Sequence, residues 1–167
     1  MNRFLILPAL LIATACGGND EIASGTFDDG EGGEGSYSVT GDEESTETVI
    51  KSADGEVRIA SGSKALQDLP MGIKLYPGAN VESSMTGMAD GGSGAMVVFS
   101  TSDSQEDVID FYRKEMEAKD IKIATEVKAG DMQMIGGERG DGEGVNISAT
   151  KDGEGKVMVT LFAGSKN

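Results

Sequence analysis

Apolar residues recur at spacings of three and four in one long stretch, SDSQEDVIDFYRKEMEAKD (102–120), which places Val108, Phe111, Tyr112 and Met116 on a common face. That period predicts an amphipathic helix lying on a sheet. Ser102 or Ser104 can cap its open amides, Glu106 and Asp107 suit the positive end of its dipole, and Lys119 suits the negative end. Other segments are strand-like. NVESSMTG (80–87) and AMVVFST (95–101) predict a hairpin before the helix. After it come IKIATEVK (121–128), DMQMIGGER (131–139), GVNISATK (144–151) and KVMVTLFA (156–163), joined by Gly and Asp turns. In the last of these, Val157, Val159, Leu161 and Ala163 share one face, with Met158 and Phe162 on the other. The order β-β-α-β-β-β-β predicts an α+β fold: an antiparallel sheet with one principal helix packed on one face.

Upstream, GSYSVT (35–40), TETVIKS (46–52) and EVRIAS (56–61) predict a small β-meander within residues 35–68, with Asp54-Gly55 as a hairpin turn. LPMGIKLYPGA (69–79) carries two prolines and two glycines, which stop a helix and predict an ordered, extended start to an α+β domain over residues 69–167. Residues 16–34, including FDDGEGGE, are acidic and Gly-rich, with few large apolar residues. They read as a linker.

The first fifteen residues read as a secretion signal: a basic start at Arg3, an apolar run from Phe4 to Ile12, then small residues. LIATAC (11–16), which ends on the only cysteine, resembles the bacterial lipobox, although Ala13 stands where that signal usually has Leu. The resemblance implies a diacylglyceryl group on the Cys16 thiol, cleavage before Cys16 and acylation of the new amine, with fatty acids such as palmitate supplying the chains. Several chains on one residue hold a protein to a membrane far better than one. The alternative is an ordinary secretory leader with an incidental cysteine. Gly17 lacks the acidic side chain of the usual inner-membrane retention signal, so the outer membrane of the cell envelope is the expected location.

Formal charge is −15, or −16 once Arg3 leaves with the leader. Such a surface repels nucleic acid and anionic lipid headgroups, and the expected partners are the membrane, through the anchor, and another envelope protein.

The chain has no histidine, and its one cysteine is assigned to the anchor, which excludes Ser-His-Asp and Cys-His nucleophilic systems and the usual zinc sites. Ser61 and Lys64 have the spacing of a Ser-x-x-Lys dyad, but the accompanying Lys-Thr-Gly element is absent. Gly30, Gly32 and Gly35 match G-x-G-x-x-G among acids that would repel a phosphate. The acidic glycine turns at 28–35, 138–144 and 152–155 lack the alternating ligands of a calcium loop. No catalytic residue, resident metal or cofactor is therefore expected. Met85, Met88, Met132 and Met134 raise a soft-metal alternative, a Cu(I)-binding protein, because thioethers are soft ligands; core packing is the competing explanation. Tyr76, Pro77 and Gly78 form a candidate recognition surface, since an aromatic beside a stiff turn can make an exposed platform. In the alternative, Tyr76 covers the core edge.

LPMGIKLYPGA together with DSQEDVIDFYRKEM resembles uncharacterised proteobacterial envelope lipoproteins that carry a YPGA element before a Phe-Tyr-containing helix. The likeness runs from Leu69 to Phe162. It implies location and fold and supplies no active site. The expectation is a membrane-anchored, non-enzymatic binding or structural module, against the alternatives of a small carboxylate-dependent hydrolase of envelope glycans and the soft-metal protein.

Overall fold

Period-two segments joined by tight Gly and Asp turns favour pairing of neighbours in sequence, and a computed structural model shows that pairing throughout. It describes residues 21–28, 33–65, 69–89, 92–140, 142–153 and 155–165. The strands are β1 (Glu21–Asp28), β2 (Glu34–Gly41), β3 (Thr46–Ser52), β4 (Gly55–Ser61), β5 (Asn80–Ala89), β6 (Gly92–Thr101), β7 (Lys122–Ala129), β8 (Met132–Arg139), β9 (Glu143–Lys151) and β10 (Val157–Ser165), with helix α1 (Gln105–Ala118) between β6 and β7. All ten strands join one antiparallel sheet in the order β1-β2-β3-β4-β5-β6-β10-β9-β8-β7.

The α+β class and the β-β-α-β-β-β-β order of the main part hold. Two expectations are corrected. Residues 21–28, read from the sequence as linker, form β1, because backbone pairing to β2 together with ring contacts over glycines substitutes for a buried apolar stripe: Tyr37 lies against Gly25 and Phe27 against Gly35. The meander and the α+β domain share a single sheet, because β4 pairs with β5 along its whole length. A finer difference lies in the β3–β4 turn, where Ser52 pairs with Gly55 and Ala53-Asp54 forms the two-residue loop.

The helix starts where its cap lies: the Ser104 hydroxyl accepts the Asp107 amide at 3.1 Å. It ends where Asp120 adopts the left-handed region (φ 56°) and the Ile121 amide reaches back to the Met116 carbonyl at 2.9 Å. Val108, Ile109, Tyr112 and Met116 are buried, and Phe111 is half-buried at the margin. The helix covers β7, β8 and β9, while Leu69, Ile73 and Tyr76 of the extended segment join the same core, over Phe99 of β6 and the inward side chains of β10. No helix among the described residues is long and apolar enough to cross a membrane.

Candidate functional site

Strand pairing fixes which side chains share a face, because antiparallel partners point the same way and neighbours along a strand alternate. Val97, Leu161, Ile147 and Ile135 form one continuous buried row on the side covered by the helix and the 69–79 segment. The next row points outward: Ile59, Met85, Met96, Phe162 and Asn146. Two residues along, still outward, the row reads Tyr37, Ile50, Val57, Gly87, Gly94, Gly164 and Gly144.

Four adjacent strands thus place glycine in line beside a line of large apolar side chains. The result is a groove of about 570 Å³, open to solvent, floored by Gly87, Gly94, Gly144 and Gly164 and walled by Val57, Met85, Met96 and Phe162. The Phe162 ring leans over Gly94 and Gly164, within 3.5 Å and 3.2 Å of where a β-carbon would stand. Its side chain remains half exposed. Gly164 cannot take a side chain cheaply, since a β-carbon would lie 3.0 Å from the Ser93 carbonyl oxygen. Gly87 and Gly144 have room: their nearest neighbours would be 3.6 Å and 3.9 Å away.

Electrostatics separates the two faces. From β1 across to β9 in sheet order, the outward paired positions hold no Asp, Glu, Lys or Arg. The charged outward positions begin at Glu138 of β8, which pairs with Gly144, and Lys122 of β7, which pairs with Glu138, while Glu82, at the β5 bulge, takes hydrogen bonds from Ser100 and Asn80. The charges of β3 and β4 point to the helix side, where Arg58 pairs with Glu47 at 2.7 Å and Glu56 at 3.1 Å, and Lys51 pairs with Glu56. Apolar character also changes sides: on β9 it faces the helix, on β2 to β4 mainly outward, and on β6, β8 and β10 both ways, Met132 and Met134 of β8 lying outward opposite Thr150 and Ser148.

Of the residues named from sequence, Tyr76 is buried, 8% exposed, stacked on Phe99 and edge-on to Phe111. It forms no exposed platform, because its ring closes the core at the open end of the helix–sheet layer. Its hydroxyl donates to Asp103 at 2.7 Å, and burial, with that carboxylate alongside, pushes its pKa up to about 12. Pro77 and Gly78 stay exposed beside it. Cys16, Gly30 and Gly32 lie outside the described residues. The Ser61 hydroxyl is bonded to that of Thr46 at 2.9 Å. Met85 lies in the groove wall, Met88 belongs to β5, and Met132 and Met134 are half-buried on β8, outside the core cluster.

Among the described residues, no three His, Cys, Asp or Glu are grouped to hold a metal ion. The carboxylates with displaced proton affinity, Asp42, Glu56, Glu126 and Glu143, are all held below the usual range. Backbone amides of Ser45 and Glu44 do this for Asp42, Lys51 and Arg58 for Glu56, Arg113 for Glu126, and Arg139 for Glu143. A general acid needs the opposite direction. What this face offers is apolar contact and open backbone.

Sequence reasoning missed Gly87, Gly94, Gly144, Gly164, Met96 and Phe162 as a group. Their signal is a repeated pairing of glycine with a larger residue two positions away: Met85/Gly87, Gly94/Met96, Gly144/Asn146 and Phe162/Gly164.

A family model described as START domain-like matches residues 81–156, from β5 to the turn before β10. No curated protein and no solved structure matches the chain. The likeness to that family model over the hairpin, the helix and the three strands after it is compatible with a non-enzymatic binding module.

Proposed function

We propose that the chain is a lipoprotein of the bacterial envelope, anchored through Cys16, with the outer membrane as its location, and that it binds non-enzymatically through the part of its outward sheet face that runs from β1 to β9 in sheet order, whose paired positions are uncharged. The carrying observation is the exclusion of charge from that face in a chain where 26% of residues are charged. Large exposed apolar patches rimmed by polar residues mark interaction sites. The lipobox-like LIATAC and the YPGA-helix likeness support the anchored location, and the START domain-like match supports a binding module.

Two measurements in intact cells test the two halves. Labelled palmitate should enter the wild-type protein and not Cys16→Ala; label retained in the variant removes the anchor. Phe162→Cys should react slowly with a polar maleimide compared with the exposed helix position Glu117→Cys, with the wild-type chain as blank. Adding Gly144→Leu, which fills the groove, should restore reaction. Reaction at one rate with and without the groove-filling change would remove the face as a binding surface.

A further inference from the structure

Resting on that reading of the outward face, we propose that its occupant is a second copy of this chain, packed sheet to sheet about a twofold axis. The ridge Met85–Met96–Phe162 lies one two-residue step from the trough Gly87–Gly94–Gly164, on the same three strands. A twofold axis in the interface plane, running between the two rows, brings each ridge over the other copy's trough. Met85 then faces the second copy's Gly87, Met96 its Gly94, and Phe162 its Gly164. An isologous contact needs a self-complementary patch, and a ridge beside a matching trough is one. The strands of the two sheets run close to antiparallel, as aligned sheet packing requires, and the two Phe162 rings, which lean into the trough, meet near the axis.

Charge favours this occupant. A net charge of −15 opposes association through most of the surface, but here the charges of β3 and β4, the Glu47–Arg58–Glu56–Lys51 cluster, point away from the contact, and Glu138 of β8 stands at its rim. The area suffices as well. Six strands from β3 to β9 in sheet order, at about 4.8 Å spacing and about 23 Å length, give a footprint of roughly 670 Å² per copy. The pair would bury roughly 1,300 Å², within the range of about 1,200–2,000 Å² for stable interfaces. Gly87, clear of the ring, lets the second copy's Met85 reach the backbone, while at Gly94 and Gly164 the contact is made on the chain's own Phe162 ring, which lies over them.

The test uses the full chain in intact cells, with Phe162→Cys treated with a short-reach bismaleimide. A product of twice the chain mass is expected, and it should fall at least tenfold when Gly87→Leu is added. Gly87 is open enough to spare the fold, which thermal melting of the variant checks. Met85→Glu, at a side chain already 39% exposed, is the second variant and should abolish the product by setting two new acids in the contact. A product of another mass overturns the second copy while leaving the face as a binding surface. No product, with single-site labelling of Phe162→Cys unaffected by Gly87→Leu, overturns both.

Discussion

The phenolic oxygen of Tyr112, in the middle of α1, accepts the backbone amide of Tyr76 at 3.2 Å. One side chain therefore ties the extended YPGA segment to the helix, and both tyrosines are buried. Tyr112→Phe keeps the ring and leaves the Tyr76 amide unpaired in the core. A buried donor without a partner costs about 1–3 kcal/mol. Denaturant unfolding should show a lower midpoint with an unchanged slope; an unchanged midpoint would mean that water reaches the amide.

Alkaline pH should loosen the same corner. The Tyr76 hydroxyl, ordinarily near 10.0, is pushed up to about 12. The folded state therefore favours the protonated phenol, so its stabilising effect is complete below pH 10 and is lost as pH rises toward 12. The unfolding midpoint of the wild type should fall across that window. Tyr76→Phe should make the decline shallower by about one proton's worth, the Tyr112 phenol, also raised by burial, accounting for part of what remains. Equal slopes would detach the effect from Tyr76.

Ser104→Ala removes the cap on the Asp107 amide and should cost about 1 kcal/mol, whereas Ser104→Asp should retain most of the stability. Thermal melting of the two variants side by side separates the cap from a general change in polarity.

Protection from hydrogen exchange should be uneven along the sheet. Strands β6, β10, β9 and β8 lie under the helix or the 69–79 segment, whereas β1 to β3 contribute nothing to the main core, and β1 is exposed at nearly every residue. Amides of β1 to β3 should exchange at least tenfold faster than those of β9 and β10, since local opening follows buried apolar contact. Uniform protection would require the outward face to be covered across the whole sheet.

By itself the sequence determined the local elements. The helix was legible from Val108, Tyr112 and Met116, because a period near 3.6 with a serine cap has no competing local structure. The strands from 80 to 163 were legible from alternation bounded by glycine turns, and the α+β class followed from their order. Strand β1 was not legible: EIASGTFD has weak alternation, and its pairing depends on β2 and on rings lying over glycines. Nor was the fate of Tyr76, because YPGA specifies a turn and leaves open whether Phe99 and Phe111 stand ready to cover the ring. Only the tertiary structure decided the face. Gly87, Gly94, Gly144 and Gly164 are scattered over 78 positions and align only through the registers of β5, β6, β10 and β9. Register also sends every strand charge from β1 to β4 to one side. A one-residue slip in any pairing would reverse that strand's faces, so the uncharged surface is a property of how the strands pair, which no single segment encodes.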